Sequence, residues 1–188
     1  MISNFEEYLV SFQRALSELN LDNLAKVSNL LISKRNERNS ILIAGNGGSA
    51  AAAEHLSTDL MFGTKIEVDS FRTHCLSSSV SSITASGNDL NFESIFSRQI
   101  SHLGKLGDLL IVISASGNSS NLIYAVKEAK KIGMETLGIL GFDGGRLLNL
   151  VDHSIHIKTE IGAYGISEDL HSVVNHMLVN DIKNKLTL

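Results

Sequence analysis

His55 and Asp59 stand four residues apart in an alanine-rich stretch, a spacing that puts both on one face of a helix. An imidazole and a carboxylate so placed suit two ligand positions of a divalent metal, although such a pair is more often a simple surface ion pair. Towards the C-terminus, Glu168, His171 and His176 share one helix-like segment. His171 and His176 lie about 140° apart around a helix and cannot face one site. Glu168 and His176 are about 80° apart around the axis but about 12 Å apart along it. With ligand distances near ~2 Å, both reach one ion only if Glu168 lies at or beyond the helix start, or if different subunits donate them. His74, His102, His153, His156 and His171 have no comparable argument and read as structural or exposed.

Two loops carry a second kind of chemistry. Ile41-Leu42-Ile43-Ala44 runs into Gly45-Asn46-Gly47-Gly48-Ser49, and Leu109-Leu110-Ile111-Val112-Ile113 runs into Ser114-Ala115-Ser116-Gly117-Asn118-Ser119. Each is a strand-like run, then a polar loop, then a helical pattern. Such a turn offers an anion unpaired N–H groups and the positive end of a helix dipole. The first loop has neither the GxGxxG spacing of a dinucleotide site nor the lysine of a P-loop, and a tight strand–helix turn would use similar residues. The second is more specific. A helix N-cap explains one serine, whereas Ser114, Ser116 and Ser119 together could converge on one phosphate.

A chain of 188 residues makes one domain with room for a substantial core. The apolar share of 43% and charged share of 19% are those of an ordinary globular chain, and the net charge of -4 gives no support for nucleic-acid binding. No apolar run nears the ~20 residues of a membrane span, and the first residues lack the pattern of a signal peptide. The single cysteine, Cys75, excludes an internal disulfide and is expected in the core. A cytoplasmic protein is expected.

Apolar spacing predicts helices over 5–19 and 22–35, which could cover a sheet face or pack on another subunit. Strand 40–45, a helix near 49–62 and a short strand near 69–76 follow. After a Ser/Thr-rich segment come a helix around 91–103, strand 108–113, helix 119–132, strands 135–140 and 153–157, and a final helix over 166–185. The alternation predicts an α/β sandwich, a parallel sheet with helices on both faces and ligands at the carboxyl ends of its strands.

Taken with Gly87-Asn88-Asp89, Phe96-Ser97-Arg98-Gln99, Gly107-Asp108 and Gly141-Phe142-Asp143-Gly144-Gly145, these motifs resemble, in order and spacing, the SIS (sugar isomerase) family. Within it they look like the sedoheptulose 7-phosphate isomerases, or phosphoheptose isomerases. The resemblance covers nearly the whole chain. It implies one three-layer SIS domain over 1–188 whose first 38 residues pack in a homotetramer, with active sites at subunit interfaces. It implies an aldose–ketose isomerase that turns sedoheptulose 7-phosphate into a glycero-manno-heptose 7-phosphate, towards lipopolysaccharide or capsule heptose. The partners implied are a phosphosugar and further copies of the chain, without nucleic acid or membrane. The cofactor implied is a divalent metal, zinc, on His55, Asp59, Glu168 and His176, with Asp59 and His176 as acid/base groups. Substrate contacts fall on Asn46, Gly47, Gly48, Ser49, Asp59, Asn88, Asp89, Ser114, Ala115, Ser116, Ser119 and Glu168.

The chain departs from that pattern in four places. Asp59 stands for a Glu, which draws the carboxylate back by about 1.5 Å. Glu168 stands for a Gln and adds a negative charge. Ala115 stands for a Thr and removes a hydroxyl. Leu60–Lys65 lacks the arginine-bearing pattern expected there. These departures keep an isomerase of another sugar phosphate open. A non-catalytic SIS binding module of the initiator-associating type is the other alternative, against which all four metal positions hold ligand-competent groups.

Overall fold

A computed structural model describes residues 4–64 and 69–187. Helices α1 (Asn4–Ser17) and α2 (Leu21–Asn36) precede β1 (Ser40–Gly45), α3 (Gly48–Thr58), a π-helical turn (Asp59–Gly63) and β2 (Arg72–Cys75). Then come α4 (Val80–Asp89), a 3₁₀ turn (Phe92–Ser94), α5 (Ser97–Leu103), β3 (Leu109–Ser114) and α6 (Ser120–Ile132). The remaining elements are β4 (Glu135–Leu140), α7 (Gly145–Leu148), β5 (His153–His156) and α8 (Tyr164–Thr187). Lys65 of the segment expected to carry an arginine lies outside the described residues.

The five strands are all parallel, in the order β2-β1-β3-β4-β5. Side chains alternate across a strand, so a sheet covered on both faces needs apolar residues at every position. Ile41, Ile43, Leu109, Ile111, Ile113, Leu137 and Ile139 join one core with Leu24, Val27 and Leu31 of α2, Ala52, Ala53 and Leu56 of α3, and Leu170, Val174 and Leu178 of α8. Leu42, Ala44, Leu110, Val112 and Leu140 join a second core with Ile100 of α5 and Leu122, Val126 and Ala129 of α6. This is the expected three-layer sandwich.

Both N-terminal helices pack on the first core, α1 through Ala15 with Phe12 and Leu16 beside it. α2 covers the sheet, whereas α1 leaves Phe5, Leu9 and Val10 exposed and is tied to α8 where the Tyr8 hydroxyl donates to Asp169 Oδ2 at 2.6 Å. That bond, above all, pushes the phenol up to about 12. Cys75 is half-buried at the edge of the first core.

Three local expectations are corrected. The Ser/Thr-rich segment forms α4, because Ile83 packs against the second core and Thr84 Oγ1 donates back to the Val80 carbonyl at 2.8 Å. The helix expected near 49–62 becomes π-helical at Asp59, where the Thr64 N–H reaches the Asp59 carbonyl at 3.1 Å. The 91–103 helix is broken into the 3₁₀ turn and α5.

Strand order decides where a ligand can enter. From β1 the chain leaves through α3 on one face of the sheet, and from the adjacent β3 it leaves through α6 on the other. A crevice therefore opens between the carboxyl ends of β1 and β3, the switch point of a 2-1-3-4-5 sheet.

Candidate active site

Both polar loops lie at that crevice. Asn46, at the end of β1, and Asn121, in the first turn of α6, exchange two side-chain hydrogen bonds of 2.9 Å and so clamp the two sides together. In the second loop the buried Ser114 Oγ accepts from the Gly117 N–H at 3.0 Å, and the Ser116 Oγ accepts from the Asn118 N–H at 3.2 Å. A hydroxyl that accepts from the backbone still has its own proton to donate. Ser119 is the N-cap of α6, yet its side chain makes no capping bond.

The Gly141–Gly145 motif is the backing of this loop. Gly117 sits at φ 62°, and a Cβ there would fall on the Gly144 carbonyl, so only glycine allows the two backbones to meet. The Leu147 N–H donates to the Gly117 carbonyl at 2.9 Å and the Arg146 N–H to Asn118 Oδ1 at 3.1 Å. Two other motifs brace the fold: Asp108 accepts from the Ser40 and Lys105 N–H groups at 2.7 and 3.0 Å, and Gln99 donates to the Leu76 and Ile95 carbonyls.

Asn46, Ser49, Ser114, Ala115, Ser116, Ser119 and Glu168 line one pocket of about 100 Å³, completed by Ile113 and Tyr164. A drug-sized ligand fills about 300–1,000 Å³, so this pocket holds one end of a molecule. Gly47 and Gly48 are exposed, and Gly48 lies against the Glu168 carboxylate of this lining. Asn88 and Asp89, expected beside the substrate, are exposed at the end of α4 and do not line it.

The metal-ligating candidates gather about two turns further along α3 and α8. His55 Nε2 lies 3.3 Å from Asp59 Oδ2, His176 Nε2 lies 3.8 Å from the same oxygen, and the two imidazole nitrogens are 3.5 Å apart. The rings meet edge to face with centroids 4.9 Å apart. A tetrahedral ion bound at ~2.0–2.1 Å has ligand–ligand edges of ~3.3–3.4 Å. The three residues therefore fit three vertices of such a site, with the fourth left for a ligand.

Glu168 does not join this cluster within one chain. α8 begins at Tyr164, so Glu168 already lies inside the helix and the axial rise separates it from His176. Its carboxylate rests instead against Gly48, where a Cβ would come within 2.6 Å of Oε1. α3 has no acidic residue in its first turn and no side-chain cap, and the Glu168 carboxylate beside Gly48 brings negative charge to its positive end. Between these two levels, Asn175 Nδ2 donates to the Ala52 carbonyl at 3.0 Å. His171 points away into the core, where burial lowers its imidazole to about 4.

Residue type alone does not single out Tyr164 or Asn121. A helix start two residues earlier than expected would have placed Tyr164 one turn before Glu168 on the same face. Nothing in the sequence pairs Asn46 with Asn121.

The SIS domain family profile matches residues 4–141. A phosphoheptose isomerase of Nitratiruptor sp. is 37% identical over 92% of this chain and 90% of its own. Among solved structures, a phosphoheptose isomerase from Francisella tularensis superposes with a TM-score of 0.86 at 28% identity, covering 96% of this chain and 94% of that one. Another from Neisseria gonorrhoeae gives 0.84 at 30% identity, covering 96% and 95%.

Proposed function

The chain belongs to the SIS-domain phosphoheptose isomerases, which are aldose–ketose isomerases, and we propose that it converts sedoheptulose 7-phosphate to D-glycero-D-manno-heptose 7-phosphate through an enediol. The observation that carries this reading is the hydroxyl-lined pocket at the start of α3 and α8, with His55, Asp59 and His176 about two turns further along the same two helices. From Gly48 to His55 α3 advances about 10 Å, and from Glu168 to His176 α8 advances about 12 Å. An extended seven-carbon phosphate has eight bonds between phosphorus and C1, or about 10 Å at ~1.25 Å of advance per bond. With the phosphoryl group in the serine pocket, C1 and C2 come level with the two histidines.

Phosphate binding is assigned to Ser114, Ser116 and Ser119, whose hydroxyl protons and helix N-terminus favour an anion. Binding energy from this remote end orients the reacting carbons. Asp59 directs Oδ2 at the two imidazoles and keeps Oδ1 for proton transfer. It takes the proton from the carbon beside the carbonyl, and the enediol regains one at the neighbouring carbon. His176 moves the proton between the two oxygens. Zinc would be held by His55, Asp59 and His176, with Glu168 of a neighbouring copy as a further ligand candidate, and would supply Lewis-acid polarisation of the substrate oxygens. We assign the whole chain to one SIS domain acting in a homotetramer, for which the exposed Phe5, Leu9 and Val10 of α1 offer apolar surface.

One observation favours a second substrate. Asp59 is about 1.5 Å shorter than a glutamate, which suits a sugar phosphate whose reacting carbons lie closer to α3. Metal analysis and an assay with sedoheptulose 7-phosphate decide between the readings. His176→Ala is expected to abolish turnover with the circular dichroism of the fold unchanged, and turnover at the parent rate would remove His176 from the mechanism. A metal-free parent inactive on this substrate would favour the non-catalytic binding module.

A further inference from the structure

We propose that Tyr164 is a substrate-binding residue whose phenol hydroxyl donates to the phosphoryl group in the serine pocket, an inference that rests on the phosphosugar reading above. Tyr164 lines that pocket together with Ala115, Ser116, Ser119 and Glu168. Among the described residues no lysine or arginine lines it, while Glu168 brings a carboxylate. The described lining thus offers a dianion only neutral donors, so each hydroxyl counts. Ala115 offers none in its side chain. A phenol is a stronger hydrogen-bond donor than a serine hydroxyl.

The ring is held and its hydroxyl is free. Tyr164 is half-exposed, and among the described residues its hydroxyl makes no hydrogen bond within the protein. Its ring meets that of Phe142 edge to face, with centroids 5.0 Å apart and planes at 73°. Phe142 is a buried non-glycine residue at φ 44°, a conformation that persists only where the surroundings enforce it. They do: the Phe142 N–H donates to Thr159 Oγ1 at 3.0 Å, and His156 Nε2 lies 3.0 Å from its carbonyl. Thr159 is in turn 2.6 Å from Ser167 of α8. The Gly141–Gly145 motif thus backs the serine loop on one side and fixes the Tyr164 ring on the other. Phe142 is a positioning residue here, and Tyr164 makes the contact.

The test is calorimetric binding of inorganic phosphate to the full chain, its Tyr164→Phe variant and the Ala115→Thr/Tyr164→Phe double variant. Tyr164→Phe deletes one hydroxyl that no other residue bonds, so the fold is expected to stand. Loss of one hydrogen bond to a charged group weakens phosphate about tenfold or more. KM for the phosphosugar should rise by the same factor, and the new hydroxyl at position 115 should recover most of the lost affinity. Equal phosphate affinity in parent and Tyr164→Phe overturns the assignment of Tyr164. Weakened binding without recovery in the double variant overturns the role of the hydroxyl as the missing donor of this wall. A parent chain that binds no phosphate overturns the phosphosugar reading as well.

Discussion

Replacing His171 by leucine should stabilise the protein, and by an amount that grows as the pH falls. His171 is completely buried on the face of α8 that also carries Ser167, Val174 and Leu178, and neither ring nitrogen has a hydrogen-bond partner among the described residues. An unpaired buried polar group costs about 1–3 kcal/mol, against less than ~1.5 kcal/mol for the imperfect fit of a similarly sized apolar side chain. Near pH 7.5 the variant is therefore expected to be more stable by about 1 kcal/mol. The pH dependence follows from burial, which takes the imidazole from 6.5 to about 4 in the folded state. Between those values the unfolded chain binds a proton that the folded chain does not, so acid selectively favours unfolding. At pH 5 the gap is about 1.5 pH units, or about 2 kcal/mol at ~1.36 kcal/mol per unit. Carboxylates such as Glu135 contribute their own acid sensitivity, but equally to parent and variant. Urea denaturation of both at pH 7.5 and pH 5, at one protein concentration, isolates the His171 term. A stability difference that stays constant between the two pH values would show that His171 is not held neutral in an apolar site.

Glu135→Gln should cost about 1–2 kcal/mol. Lys34, only 5% exposed at its side chain, keeps the Gly107 carbonyl at 2.9 Å but loses the carboxylate at 2.6 Å, and the 43% exposure of Glu135 reduces the ~3–5 kcal/mol of a fully buried pair. The Lys34 ammonium, followed by His153, holds the Glu135 carboxyl below its usual 4.5, so the parent's advantage in thermal melting should be full above that pH and fade as the pH falls through the lowered value. Gly48→Ala should leave folding intact, since the obstacle is the movable end of Glu168, yet raise KM about tenfold through the displaced carboxylate. An unchanged KM would show that the Gly48–Glu168 contact has no part in substrate binding.

What the sequence discloses follows from how local the governing interaction is. β1, β3 and β4 are legible because a strand buried on both faces must be apolar at every position, and Ile41–Ala44, Leu109–Ile113 and Thr136–Leu140 satisfy that almost alone. α4 is hidden because Ser81, Ser82, Thr84 and Ser86 compete for their own backbone groups, and only the seat of Ile83 on the second core decides the outcome. The His55–Asp59 pair is legible from spacing four, but the arrival of His176 depends on the packing of α8 against α3. Glu168 shows the reverse: helical geometry warns that it cannot share an ion with His176 inside one helix, and the structure places it at Gly48.

That displacement gives the site its order. α3 and α8 run in the same sense, meeting first at Gly48 and Glu168, then at Ala52 and Asn175, then at His55 and His176. Each level has a different chemistry: an acidic contact at the mouth of the hydroxyl pocket, a buried amide that fixes the spacing, and a pair of imidazoles with Asp59. The amide fixes the register of the helices, because sliding α8 by one turn would strand Asn175 Nδ2 without the Ala52 carbonyl and carry His176 about 5.4 Å away from His55. The distance between the Gly48–Glu168 contact and the cluster is therefore set by the packed helix pair. In the proposed reading a substrate anchored in the pocket is measured against that helix pair, and a chain shorter by one carbon falls short by about 1.25 Å. Because proton transfer tolerates little error in distance, that reading selects length without a residue that reads the middle of the sugar.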